Sequence, residues 1–202
     1  ITTQDKLLNS LALTNKIACC AAGNEGISPV DTPATSEKSV AVGGYNLFND
    51  LRESYSNFGG IVTMKPDICG LAENIASTCT GSLDGLYDGV KNGFEVLSGT
   101  SMATPMITGV LAQLTEAKGT KLTREDIEFI FSKSGSVVSK NDNIGYGLPN
   151  AIKALEILNA IKSGVTPDLE EPQASNNLGF FTLVSIGAVA GLALASNKKR
   201  NS

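Results

Sequence analysis

The chain has 202 residues, 42% of them apolar and 18% charged, with a net charge of −4. That length and balance suit one globular domain with appendages, and the lack of a basic run before the last few residues excludes a nucleic-acid surface. Histidine is absent, so any mechanism that needs an imidazole base must take it from outside these residues.

The first residue is Ile1 rather than Met, which reads as a processed or incomplete chain. Gln4 to Leu13 carries Leu7, Leu8 and Leu11 at helical spacing and predicts a helix. Lys16 to Ala22 is a short apolar run closed by Gly23-Asn24-Glu25-Gly26, the pattern of a buried parallel strand ending in a tight turn. Ser39 to Gly44 predicts a second strand and Pro66 to Cys69 a third. Residues 80–98 are rich in Gly, Asp and Asn and predict turns and a surface hairpin.

From Ser101 the chain turns helical, with Ala103, Ile107, Val110, Leu111 and Leu114 at helical spacing and Met102 and Met106 adding apolar surface as core filler. A helix apolar nearly all round predicts a buried central element. Pro105 then belongs in its first turn, and Gly119 closes it. Thr123, with Asp126 three residues on, caps a helix that turns Ile127, Ile130 and Phe131 inward and stops near Gly135. Gly145-Tyr146-Gly147 is a turn. Pro149 or Asn150 opens a last helix with Ile152, Leu155, Leu158 and Ile161 on one face.

A serine at the start of a helix has chemical meaning. The N–H groups there point outward and favour developing negative charge. If Ser101 attacks a carbonyl, its own N–H lies near the new oxyanion, and a fixed Asn carboxamide is a suitable second donor. Asn24, in the Gly-Asn-Glu-Gly turn, is the candidate. Taken alone, Ser101 also reads as a helix cap and Asn24 as a turn former.

Ser98-Gly99-Thr100-Ser101-Met102-Ala103-Thr104-Pro105 resembles the nucleophile motif of the subtilisin family, and Ala21-Ala22-Gly23-Asn24-Glu25-Gly26 resembles that family's oxyanion turn. Between and after them, in the family's order, stand Pro33-Ala34, Ser39-Val40-Ala41-Val42-Gly43, Tyr55-Ser56-Asn57-Phe58-Gly59, Lys65-Pro66-Asp67-Ile68, Gly145-Tyr146-Gly147 and Asn150-Ala151. The resemblance covers roughly residues 3–162. It implies an α/β fold with a mostly parallel sheet and helices on both faces. It implies a serine endopeptidase acting through an acyl-enzyme on peptide or protein substrates, with no cofactor. Ser101 would be the nucleophile and Asn24 the side-chain oxyanion donor. Ala21, Ala22 and Gly23 would line one wall of the primary specificity pocket, with room for a sizeable apolar side chain. The sedolisin-type relatives place Asp rather than Asn in the oxyanion hole, which favours the subtilisin branch.

Two departures follow. The family's triad runs Asp, His, Ser, and the Asp and His blocks precede the oxyanion turn by more residues than this chain has there. The chain therefore reads as the C-terminal part of a peptidase domain, incomplete at its N-terminus and lacking the first half of the sheet. Alone it should be inactive, and residues 1–162 by themselves should aggregate or be molten. Its first partner would be the missing N-terminal part of the same domain. Second, the family's Ala-Pro-Gly after Asp67-Ile68 is replaced by Cys69-Gly70-Leu71. A pseudoprotease or binding module is the other reading. A Ser–Lys dyad using Lys65 or Lys91 has no specific support, and Asp84 and Asp88 lack the spacing of a calcium loop.

The cysteines are Cys19, Cys20, Cys69 and Cys79. Their spacing fits no zinc pattern. The first two read as small buried core residues, and the last two are compatible with a disulfide in an oxidising compartment. Residues 163–177 read as a flexible linker. Leu178 to Ala195 is uncharged and long enough to span a bilayer, and Gly187 and Gly191 form a Gly-x-x-x-Gly. Lys198-Lys199-Arg200 falls in a basic tail at 196–202. These features predict a single-pass membrane protein with the peptidase domain extracellular or lumenal and the C-terminus cytoplasmic.

Overall fold

The computed structural model describes residues 2–14 and 16–164. Helix α1 spans Thr3–Ala12 and opens with a capping box, in which Thr2 Oγ1 accepts from Asp5 N–H while the Asp5 carboxylate accepts from Thr2 N–H. The same carboxylate accepts from Thr35 Oγ1 at 2.8 Å, which ties α1 to the segment before the second strand. Burial would raise the pKa of Asp5, but the hydrogen bonds from Thr2 and Thr35 outweigh it and leave it lowered.

Strands β1 (Cys19–Ala21), β2 (Val40–Asn46) and β4 (Ile68–Leu71) form a parallel array with β2 in the middle. The two-residue β3 (Leu51–Arg52) returns antiparallel along the end of β2. Val42 pairs with both Ala21 and Ile68, and Tyr45 with both Arg52 and Leu71. So β1 and β3 share one edge of β2, and β4 takes the other. Strands β5 (Ile75–Thr78) and β6 (Phe94–Leu97) form a separate antiparallel hairpin around the glycine-rich loop. The composition placed a hairpin within 80–98; the loop and β6 fall there, while β5 precedes it.

Alternation along β1 and β2 divides the core, because successive side chains leave a strand on opposite faces. Val40 and Val42 join Ile68, Ile107, Val110 and Phe131 in the larger cluster, under α2 (Thr100–Lys118), α3 (Arg124–Ser134) and α4 (Ala151–Ser163). Cys20, Ala22 and Ala41 face the other way, against Val30, Ala34 and the half-buried Leu8 of α1. Helices therefore cover both faces of the sheet, as the family resemblance implied. Asn150 and Thr123 cap α4 and α3 through their side chains, as their residue types predict.

Four expectations are corrected. Helix α2 is not buried all round: Ala103, Ile107, Val110, Leu111 and Leu114 face the sheet, while Ser101, Pro105, Thr108, Gly109, Ala112 and Gln113 are exposed. Met102 and Met106, whose apolar side chains suggested burial on a second side, are only half-buried, and Gly109 and Ala112 lie on the open side. Pro105 does not sit in the first turn, because the helix begins at Thr100. Its missing N–H costs one ladder bond and leaves the Ser101 carbonyl without its i+4 donor. Helix α4 buries Ala151, Ala154, Ile157 and Leu158, while Ile152 is 40% exposed. Small Ala151 and Ala154 let it press closely against α2 and α3, so the buried stripe runs through them to Ile157 and the predicted Leu158, with Leu155 and Ile161 at its margin.

The fourth concerns the cysteines, all of which are free thiols. Cys69 is sealed in the core, its Sγ donating to Ile144 O, whereas Cys79 lies at the far end of β5 with Sγ toward Asp84. A parallel core strand and a surface hairpin hold them apart. Burial pushes the Cys69 thiol up, so it is an inert packing residue. Cys20 is buried as predicted, but Cys19 is only half-buried. It lines a groove of about 250 Å³ with Ile17, Thr108, Ala112 and Leu122, between α2 and β1. The outer edge of β1 has no strand partner among the described residues.

Candidate active site

Two chain reversals build the site. The first is the turn that ends β1 and carries Asn24. The second is Gly99, where β6 ends and α2 begins. Gly99 has φ +149°, a backbone that side-chain-bearing residues rarely adopt, and an added Cβ would approach the Asn24 carboxamide. The added Cβ would make only ordinary contact, so it is the backbone angle rather than lack of space that calls for glycine at the second reversal.

Thr100 joins them. Fully buried, it donates from N–H to Asn24 Oδ1 at 2.8 Å and from Oγ1 to the same oxygen at 3.0 Å, while Gly23 N–H donates to Thr100 Oγ1 at 3.3 Å. Two donors on one carboxamide oxygen fix which way that amide is turned. Asn24 Nδ2 is left without a partner among the described residues, and so is the N–H of Ser101, the next residue along α2. The first N–H groups of a helix lack internal acceptors. One such donor beside a fixed carboxamide N–H is the arrangement that stabilises an oxyanion. Ser101 is exposed, and no described side chain hydrogen-bonds its hydroxyl.

The lysine alternatives do not reach it. Lys65 is 1% exposed, with Nζ bound to Asp67 Oδ2 at 2.7 Å and to Ser39 O at 2.8 Å. Burial lowers its pKa, but its proton is committed to that pair. Lys91 is exposed in the loop between β5 and β6. Asp84 in that loop and Glu95 in β6 accept from backbone N–H groups of residues 87, 88, 92 and 93, so their charge is answered by amides. No acidic or cysteine cluster among the described residues could hold a metal ion.

The residues predicted to line the pocket divide. Ala21 and Gly23 are half-buried at the surface of the turn, whereas Ala22 is fully buried, facing the smaller core. Asp31 was not foreseen. Its carboxylate lies against Gly23, where an added Cβ would stand 2.4 Å from Oδ2. Glu25 shares Asn57 Nδ2 with it. The hydrogen bond from Asn57 lowers the pKa of Glu25, while desolvation and then the charge of Glu25 raise that of Asp31. Neither acid ion-pairs with a described Lys or Arg.

The profile of the Subtilase family matches residues 3–180. The chain belongs to the subtilase family. A thermophilic serine proteinase of Bacillus sp. strain AK1 is 34% identical over 113 residues, covering 56% of this chain and 24% of the relative. Subtilisin BL of Lederbergia lenta is 29% identical over 149 residues, covering 74% of this chain and 49% of the relative. The chain thus spans half or less of the length of these relatives. Among solved structures, a lanthipeptide protease superposes with a TM-score of 0.62 at 22% identity, over 77% of this chain and 55% of that one. The prenylagaramide maturation protease PagA superposes with a TM-score of 0.58 at 24% identity, over 76% of this chain and 54% of that one. These likenesses establish the subtilisin-like α/β fold.

The sequence of this subtilase nominated Ser101 and Asn24, and the structure brings their two turns together through Thr100, which the sequence did not single out. Thr100 lay inside the quoted motif yet read only as its neighbour. Asn57 also lay inside a quoted block, and its role has no sequence signal, because its partners are 26 to 34 residues away.

Proposed function

We propose that this chain carries the nucleophile and oxyanion hole of a serine endopeptidase whose His and Asp come from polypeptide outside these 202 residues. The observation that carries the reading is the pair of unengaged donors, Asn24 Nδ2 and Ser101 N–H, held beside an exposed serine hydroxyl by Thr100. In this reading the external histidine takes the Ser101 proton as the oxygen attacks the peptide carbonyl. The two donors hold the tetrahedral oxyanion, and water then releases the acyl group. The open side of α2, the groove beside Cys19 and the unpaired edge of β1 favour a docked upstream segment. Unpaired edges and exposed apolar surface otherwise promote aggregation.

Glu25 and Asp31 set negative charge beside Gly23, which favours a cationic over an apolar substrate side chain there. Peptide esters with Lys at the cleaved position should turn over at least about tenfold better than Leu esters at low salt, a ratio that shrinks as salt rises. Equal rates would remove the acids from the specificity.

Membrane anchoring through residues 178–195 belongs to the same proposal. Those residues lie outside the described ones, among which no helix is long and apolar enough to cross a membrane. Release of the natural protein by alkaline carbonate would refute the anchor. The enzyme reading is tested by a fluorophosphonate probe on the natural protein. Labelling at Ser101 supports it, and an unreactive Ser101 would favour the binding-module reading.

A further inference from the structure

The turn that carries Asn24 is held from behind by one residue. Asn57 is fully buried in the loop after β3. Its backbone N–H donates to Gly23 O at 3.0 Å. Its Oδ1 accepts from Glu25 N–H at 3.0 Å and from Ile27 N–H at 3.1 Å. Its Nδ2 donates to Glu25 Oε2 at 2.8 Å and to Asp31 Oδ1 at 3.2 Å. A carboxamide offers two lone pairs and two protons, and all are spent on residues 25–31.

Asn24 sits at the centre of this clamp. Asn57 N–H fixes the carbonyl before it, and Asn57 Oδ1 fixes the N–H after it. The N–H of Asn24 itself donates to Glu25 Oε2 at 3.0 Å, the oxygen that Asn57 Nδ2 holds. Thr100 decides which way the Asn24 carboxamide is turned, and Asn57 decides where its backbone stands. An oxyanion donor works by being in place before charge develops, and an error of about 1 Å at a reacting group can cost 10²-fold.

We propose that Asn57 is a positioning residue for the oxyanion hole, acting through Asn24; this rests on the peptidase reading above. It does not touch substrate. The local fold does not hang on its side chain alone. Gly26 N–H to Tyr55 O, Phe58 N–H to Ile27 O and Val30 N–H to Gly59 O tie the same two segments through backbone. Asn57→Asp keeps the shape and both acceptor pairs, loses both donors, and sets a third carboxylate beside Glu25 and Asp31. Asn57→Ser removes the carboxamide and adds no charge.

The test is a mutant cycle in the full-length natural protein, reading kcat and KM on a peptide ester and the melting temperature of each variant. Asn57→Asp should lower kcat by about 10- to 100-fold with KM changed less than about threefold, and Asn57→Ser should lose less. In an Asn24→Ala background the Asn57 change should cost less than about threefold, since the group it places is gone. Losses that multiply across the two sites, or a kcat loss that tracks the melting temperature across variants, would overturn the proposal. If fluorophosphonate fails to label wild-type Ser101, the peptidase reading falls and takes this one with it. Labelling with multiplied losses sinks Asn57 alone.

Discussion

Two buried polar side chains of this subtilase chain hold loops in place by opposite means. Asn57 is neutral, and its carboxamide oxygen and nitrogen each meet two matched partners behind the turn that carries Asn24. Asp67 is charged, at the foot of β4, and gathers cations: Lys65 Nζ at 2.7 Å, Arg124 Nη2 at 2.5 Å and Lys140 Nζ at 2.8 Å, besides the N–H of Ala41. Burial alone would raise the Asp67 pKa, but Arg124, Lys65 and Lys140 overcome it and hold the carboxyl at about 2. The amide clamp sits behind the turn that carries Asn24. The ion cluster pins α3 and the 140s loop to the sheet through Arg124 and Lys140. Geometry near chemistry is set by directional neutral bonds, while the joint between layers is held by charges that cannot be left unpaired.

That division predicts separable failures. The largest effect should fall on chemistry: Ser101→Ala in the natural protein should lower turnover by about 10⁶, a magnitude known from subtilisin itself. Its melting temperature should stay within about 1–2 °C, because an exposed surface substitution is usually worth less than about 0.5 kcal/mol. A large loss of stability would mean that Ser101 is a structural cap.

Next is the ion cluster. Asp67→Asn leaves buried Lys65 without its counter-charge, and breaking such a pair costs about 3–5 kcal/mol. Thermal or urea unfolding should register that loss. A change near zero would dismiss the cluster as decoration. The acid limb carries the same information. Because the folded-state pKa of Asp67 is depressed below the unfolded value of about 4, its stabilisation is complete above about pH 4. It is lost as pH falls through about 2. Melts between pH 5 and 2 should show wild type losing stability faster than Asp67→Asn.

A third substitution probes the joint between the regions. Gly70 lies in β4 directly beneath α2, and an added Cβ would stand 2.8 Å from the Ala103 carbonyl oxygen. Gly70→Ala should cost about 1–3 kcal/mol by overpacking. It should also lower kcat, since the displaced turn of α2 carries Ser101. Lost stability with unchanged kcat would show that the helix start is fixed from Asn24 and Thr100 alone.

Much of this was legible in the residues. Capping signals at Thr123 and Asn150 and the short apolar run of Ser39 to Gly44 each act over a few residues, so spacing reveals them. Helix faces were less legible. The exposed side of α2 and the shifted face of α4 depend on which neighbour lies where, and small residues suit either a close contact or an open surface. Charge partners were hidden for the same reason, because Asp67 meets Arg124 and Lys140 only after the sheet and α3 have packed.

By itself the sequence determined the family, because its short motifs stand in order at given spacings, and it nominated Ser101 and Asn24 as the candidate nucleophile and oxyanion donor. The tertiary structure alone decided that Thr100 turns the Asn24 carboxamide, that Asn57 clamps its turn, that Asp31 lies against Gly23 and that Lys65 is committed to Asp67. Those relations join residues far apart in the chain, and a hydrogen bond forms only when folding brings donor and acceptor within about 3 Å.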